Sequence, residues 1–151
     1  MSQAKIVAGW CEWIALPEFR IAALRAKLDS GARTSALHVQ SLERTVERGV
    51  PMAELIVGGV MARRAVRCPI VDERTVTDSG GHRERRVVIE TTLVLGELRW
   101  PVELTVTRRD GLRFRMLIGR SALRDRLLVD PARTYLLGKP ARGARRSMDK
   151  S

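Results

Sequence analysis

The stretch of this chain best equipped for chemistry is Asp29-Ser30-Gly31-Ala32. The Asp supplies an acid, and the Ser hydroxyl can brace a tight turn around it. Gly permits a backbone conformation and a close approach that a side chain would block, and Ala leaves room for a bound chain. A carboxyl on such a turn can hydrolyse peptides when it faces a second carboxyl about 3 Å away, because the two cannot both ionise and one keeps a proton. The ionised member takes a proton from the attacking water, while the protonated member polarises the carbonyl oxygen. Such a titration belongs to the pair rather than to one residue. The sequence offers one convincing Asp of this kind. The reading therefore requires a homodimer with Asp29 from each subunit, two-fold symmetry supplying the matching geometry.

A second Asp-Ser-Gly, at Asp78-Ser79-Gly80 and followed by Gly81, is a rival. It lacks the following Ala, and no apolar strand leads into it. Its polar surroundings are those of a hairpin tip, and a substrate-contacting loop is the preferred reading over catalysis. Arg83, Arg85 and Arg86 beside it would grip an acidic peptide or simply form a charged hairpin. Hydrolytic zinc sites present three ligands at spacings such as His-Glu-x-x-His, whereas His38, His82, Cys11 and Cys68 stand far apart in the sequence. No metal and no other cofactor is expected. A Gly-x-x-x-x-Gly-Lys-Ser/Thr loop for ATP is absent as well. Cys11 and Cys68 read as packing residues, and Trp10, Trp13 and Trp100 as core or interface.

The elements that must position these residues read as all-β. Short apolar runs are punctuated by Gly and Pro, and 151 residues suit one domain with one modest core. Trp10–Leu16 reads as a strand closed by Pro17. Residues 21–28 hold strong helix formers, yet Leu24, Ala26 and Leu28 alternate with Arg25 and Lys27 at strand period. The turn that follows decides for a strand from Leu24 onward. Further strands are expected at Leu37–Ser41, Met52–Val57 and Ala65–Val71. Arg86–Leu95 and Arg99–Thr107 form the clearest pair, hinged at Gly96-Glu97, with Leu93, Leu95, Val102, Leu104 and Val106 supplying buried faces. Asp110-Gly111 signals a turn into a strand at Phe114–Ile118. Ser121 is placed to cap a short helix over Ala122–Leu127, and Asp130-Pro131 to turn into a last strand at Thr134–Leu137. The folded domain is read as residues 1–138. Residues 139–151 form a basic tail too polar to pack.

Net charge is +11. The tail holds Lys139, Arg142, Arg145, Arg146 and Lys150 against Asp149, so most of the excess lies in the body. A field of this sign gathers anionic partners: acidic peptides, ribosomal surfaces or, less favoured, nucleic acid. No apolar run approaches the roughly 20 residues of a membrane span, the N-terminus lacks a secretory signal, and two cysteines suit a reducing compartment. A cytoplasmic location and no membrane partner are the expectation.

Two segments in this order, Leu28-Asp29-Ser30-Gly31-Ala32 and Met116-Leu117-Ile118-Gly119-Arg120, resemble the paired signatures of retropepsins, each in a single copy. Four longer segments narrow the match: Gly9-Trp10-x-Glu12-Trp13-x-Ala15-Leu16-Pro17, the run from Lys27 to Leu37, the run from Thr77 to Arg86, and Leu128-Val129-Asp130-Pro131-Ala132-Arg133. Together they resemble a bacterial family filed under the name ATP-dependent zinc protease and regarded as retropepsin-like. The resemblance covers residues 6–138. It implies an all-β, closed-barrel acid-protease lobe with one short C-terminal helix. It implies that Asp29 is the catalytic carboxyl, that Ser30 braces the paired turns across a dimer axis, and that Gly31 and Ala32 floor the substrate site. Ile118 and Gly119 would pack behind the turn, and Arg120 would make a structural polar contact. Asp78 to Gly81 would form the flap that closes over substrate. Retroviral members carry acidic residues soon after Gly-Ala. Here Arg33 and Thr34 stand at those positions, which leaves the partner of Arg120 open and hints at acidic substrates. The resemblance also implies an association with RimK-type ATP-grasp ligases that append glutamates to ribosomal proteins. Two rival readings stand beside the aspartic endopeptidase: a non-catalytic basic dimer that binds RNA or ribosomes, and the zinc-dependent protease of the family's name.

Overall fold

The computed structural model describes residues 4–58, 64–109 and 112–140. Among the described residues, eleven strands and one four-residue helix account for the regular structure, apart from a short 3-10 turn at Pro17–Phe19. In chain order the strands are β1 (Ile6–Leu16), β2 (Ile21–Leu28), β3 (Ser35–Val39), β4 (Ser41–Glu47), β5 (Val50–Val57), β6 (Arg64–Pro69), β7 (Asp72–Thr77), β8 (Arg83–Leu95), β9 (Leu98–Arg108), β10 (Met116–Ile118) and β11 (Leu127–Thr134). The helix α1 spans Arg120–Leu123.

Eight strands form one sheet in the order β11-β1-β2-β10-β3-β9-β8-β7, and a further pairing of Ala15 on β1 with Val94 on β8 closes it into a ring. Strands β4, β5 and β6 form a separate antiparallel meander. This is the expected all-β lobe with its barrel and single short helix. The inside is aliphatic: Ile14, Leu16, Leu37, Ile89, Leu93, Leu104, Met116 and Ile118 are fully buried. Leu93, Leu95, Val102, Leu104 and Val106 are buried as their alternation predicts, and β8 and β9 meet antiparallel around Gly96, whose φ is +59°.

Strand β2 takes in the whole of residues 21–28, helix formers included. It lies between β1, antiparallel, and β10, parallel, so both backbone edges are paired. Leu24, Ala26 and Leu28 face inward while Arg25 and Lys27 face solvent. Propensity is a weak prior once two neighbouring strands supply hydrogen bonds and burial.

Several boundaries need correction. Strand β1 begins at Ile6, four residues before the expected start, because β11 pairs with its first half in parallel. Strands β4 and β7 come in addition to the expected set. The strand expected at Phe114–Ile118 is only Met116–Ile118. The helix is Arg120–Leu123 with Gly119 at its N-cap, and Ser121 does not cap it; the Ser121 hydroxyl donates instead to the Arg33 carbonyl at 2.8 Å. The last strand is Leu127–Thr134 rather than Thr134–Leu137, since Asp130-Pro131 lies inside β11, within a register shift against β1. Pro is tolerated there because β11 is the sheet's edge. The Asp110-Gly111 turn, and the tail from residue 141 onward, lie outside the described residues.

Candidate active site

The turn bearing Asp29 begins where β2 ends, and β10 lies beside it. Met116, Leu117 and Ile118 register with Ala26, Lys27 and Leu28 on one side and reach β3 on the other. Main-chain bonds extend this packing into the turn. The Asp29 N–H donates to the Ile118 carbonyl at 2.8 Å, and the Ala32 N–H donates to the Asp29 carbonyl at 3.2 Å. Asp29 itself is half-buried, and its Oδ1 accepts the Gly31 N–H at 2.9 Å. A Cβ on Gly31 would lie 3.1 Å from that oxygen. The acid is thus held by its own turn through Oδ1.

The two predicted segments come together in the structure. Arg120 N–H donates to the Ala32 carbonyl at 2.7 Å, and Ser121 N–H donates to the Arg33 carbonyl at 3.1 Å. Gly119 is buried between them, and a Cβ there would sit 2.5 Å from the Thr34 carbonyl oxygen and 3.0 Å from that of Ala32. Both obstacles are backbone, which cannot swing aside. Gly119→Ala is therefore expected to cost about 1–3 kcal/mol, read by thermal melting. Unchanged melting would show that the turn and helix are not packed this tightly.

The open question about Arg120 is answered by main chain. Its Nη1 donates to the Ser30 carbonyl at 3.0 Å and to the Gly31 carbonyl at 3.3 Å. Arg33 is exposed beside the turn, and Thr34 lines a cavity of about 210 Å³ with Ser35, Ser121, Trp100 and Arg126 among its walls. Sequence reasoning missed Ser35 as a site residue. Its buried hydroxyl accepts the Gly119 N–H at 3.0 Å, and its carbonyl accepts the Thr105 hydroxyl at 3.1 Å. A small polar residue six positions after the Asp, at the head of a strand otherwise apolar but for His38, was the available signal.

Asp78, Ser79, Gly80 and Gly81 form the exposed tip between β7 and β8. Asp78 Oδ1 accepts N–H groups of Gly80 and His82, both at 2.9 Å. These bonds, chiefly that from His82, hold its carboxyl below the usual range. Among the described residues no hydrogen bond or ion pair joins this tip to the Asp29 turn. The three arginines that follow differ in availability: Arg85 pairs with Glu73 and Arg86 with Glu84, and both are committed within the hairpin.

Cys11 and Cys68 are buried free thiols, and burial pushes the Cys68 thiol up to about 11, the opposite of an activated nucleophile. His38 Nδ1 lies 2.5 Å from the Thr107 hydroxyl. Burial, aided by Arg86 and Arg109 and opposed by Glu84, lowers its pKa below the ordinary imidazole value. Among the described residues no three His, Cys, Asp or Glu side chains gather where they could hold a metal ion.

A single buttressed Asp-Ser-Gly-Ala turn, backed by Ile-Gly-Arg and a short helix on an all-β lobe, agrees with the family whose model matches residues 7–140. The chain belongs to the RimB-like family, described as retropepsin-like aspartic endopeptidases. A Desulfotalea psychrophila protein named probable alpha-L-glutamate ligase is 42% identical over 146 residues, covering 92% of this chain and 31% of the relative. A Shewanella pealeana protein of the same name is 38% identical over 143 residues, with the same coverage of each. The RimB-like chain thus spans about a third of the length of the curated relatives it matches. A crystal structure of a Legionella pneumophila protein of unknown function shares the fold. Its TM-score is 0.76 at 24% identity, covering 89% of this chain and 99% of that one. The zinc-protease name finds no support in these likenesses.

Proposed function

We propose that this RimB-like chain is an aspartic endopeptidase whose active centre forms at a two-fold axis, Asp29 of each subunit sharing one proton. The observation that carries the reading is the Asp29 turn. One carboxyl oxygen is bound by Gly31, the main chain is bonded to Ile118, and the whole is backed by Gly119 and Arg120. One such turn is half of a proton-sharing pair, and a second copy supplies the other half without a further assumption. The ionised Asp29 takes a proton from water as its oxygen attacks the peptide carbonyl, and the protonated Asp29 gives its proton to the carbonyl oxygen. Collapse of the tetrahedral intermediate breaks the C–N bond and sends a proton to the departing amine.

Acidic peptides are the proposed substrate class. The net charge of +11 favours anionic chains, and Arg33 stands exposed next to the catalytic turn. Relatives named for glutamate ligation support the same class, since glutamylated tails are acidic peptides. The hairpin tip at Asp78 to Gly81 is the proposed flap.

Subunit mixing tests the shared centre. Wild-type and Asp29→Asn chains, mixed equally and allowed to exchange, leave about one quarter of dimers with two Asp29 residues. Activity per total chain should fall to that quarter. A fall to one half would mean that each subunit works alone, and the two-fold centre would be abandoned.

A further inference from the structure

Of the chain's three Trp, two Phe and one Tyr, Phe19 and Trp100 are buried. The rest, Trp10, Trp13, Phe114 and Tyr135, keep part of their surface in solvent. They gather in two pairs. Trp13 and Tyr135 stack with ring centroids 5.7 Å apart, and Trp10 meets Phe114 edge to face at 5.8 Å. Arg25 joins the pairs, its guanidinium 6.0 Å from the Phe114 centroid and within reach of the Tyr135 hydroxyl. Trp13 stands directly opposite Arg25 in the β1–β2 ladder, so both belong to the outward face on which Lys27 also lies. Arg113 sits 5.4 Å from the Phe114 centroid and Lys139 4.9 Å from that of Trp13.

The cations of this face are set on or beside rings rather than on acids. Arg25, Lys27, Arg113 and Lys139 are exposed, and among the described residues no carboxylate pairs with any of them. Arginines on β4, β6, β7 and β8 differ: Arg44 and Arg85 pair with Glu73, Arg67 with Glu54, and Arg74 with Glu103. Unneutralised charge of one sign repels a second copy of the same face and attracts an anion. An acidic peptide would engage the cations and give the rings no part. A single nucleic-acid strand engages both, its phosphates on Lys and Arg and its unstacked bases on aromatic rings and guanidinium planes. RNA is the nucleic acid whose loops and ends offer such unpaired bases.

We infer that the outward face of β1 and β2, together with Phe114, Tyr135 and the cations laid on these rings, binds single-stranded RNA. The face is separate from the Asp29 turn. Arg25 precedes the acid by four positions, about 13 Å along an extended strand. The inference does not rest on the peptidase reading, and either stands if the other falls. Phosphate contacts and stacking hold a strand without reading its sequence, so affinity should depend steeply on salt and little on sequence.

The test uses the full chain and a fluorescein-labelled oligouridine of about 12 nucleotides, followed by fluorescence anisotropy. Arg25→Gln combined with Arg113→Gln should weaken binding about tenfold or more and flatten the salt slope by about 1.4, roughly 0.7 for each lost phosphate contact. Phe114→Leu keeps every charge and should still weaken binding about tenfold through lost stacking. Melting curves confirm that the variants are folded. Undiminished binding in either variant overturns the inference. An oligoglutamate that displaces the RNA at equal concentration also overturns it, since the face would then be an acidic-peptide site. A duplex bound as tightly as the single strand does the same. Should the variants not fold, the wild type decides by photocrosslinking to a strand carrying 4-thiouridine. Adducts on peptides containing Trp10, Phe114 or Tyr135 uphold the face, and adducts found only elsewhere, residues 141–151 included, overturn it.

Discussion

Asp29→Asn is expected to lower kcat/KM on an acidic peptide by roughly a thousand-fold or more, with the mass of the proposed dimer unchanged. The amide is nearly isosteric and still offers an oxygen to the Gly31 N–H. It cannot take a proton from water, nor share one with its counterpart. The turn survives the exchange because its main-chain bonds, Asp29 N–H to Ile118 and Ala32 N–H to the residue 29 carbonyl, do not involve the side chain. Chemistry is removed and architecture is kept. Active-site titration with a tight inhibitor, together with sedimentation analysis, separates lost catalysis from lost assembly. Wild-type turnover in the Asn variant would mean that another group is the acid, and the tip at Asp78 would be the next place to look.

That the Asp29 turn and its backing segment were readable, while the bonds that join them were not, has a physical reason. Asp29-Ser30-Gly31-Ala32 declares itself because each residue type answers a local requirement of one turn. The partners of the turn are carbonyl groups of residues 30 to 34, contacted by Arg120, Gly119 and Ser121 from ninety positions away. A backbone carbonyl leaves no mark in a sequence, so the contact of Arg120 could be anticipated but not its partner. Ser121 shows the converse error: expected as a cap just before the helix, it lies within it, and its hydroxyl is spent on the Arg33 carbonyl.

Strands divide along the same line. Strands β8 and β9 are legible because their apolar residues alternate around a Gly-containing turn. Strand β7, Asp-Glu-Arg-Thr-Val-Thr, carries little apolar period. It exists through pairing with β8 and through ion pairs of Arg74 with Asp72 and Glu103 and of Glu73 with Arg85. Strand β4 is similar, half-exposed and charged, and is held by its ladder with β5. Pairing across the adjoining hairpin, rather than an apolar period of their own, makes both of them strands.

Glu12→Ala carries the largest expected loss of stability, about 3–5 kcal/mol. Glu12 is completely buried and accepts three main-chain N–H groups: Gly9 at 2.7 Å, Leu136 at 2.9 Å and Leu137 at 3.1 Å. Two of these lie over 120 residues away, beyond β11, so one side chain ties the segment after the last strand to the first strand. Its surroundings fit that purpose. A Cβ on Gly9 would lie 2.3 Å from the Arg133 carbonyl oxygen, so Gly is what lets the two chains cross this closely. Tyr135, with φ at +54°, stacks on Trp13 at 5.7 Å and accepts a bond from the Cys11 thiol. The motif Gly9-Trp10-Cys11-Glu12-Trp13 is therefore a clasp, where the sequence offered only a pattern without a role. Truncation to Ala orphans three donors and opens a void. At about 2–4 °C per kcal/mol for a chain of this size, the melting temperature should drop by roughly 10 °C. Glu12→Gln keeps one acceptor oxygen but turns an NH₂ toward a donor, so a smaller loss is expected. Glu90→Ala, on the exposed side of β8, should change stability by no more than about 0.5 kcal/mol. Melting curves of the three variants, with hydrogen exchange of residues 136 and 137, provide the check. A Glu12→Ala protein that melts with wild type and keeps those amides protected would show that the clasp contributes nothing to the fold.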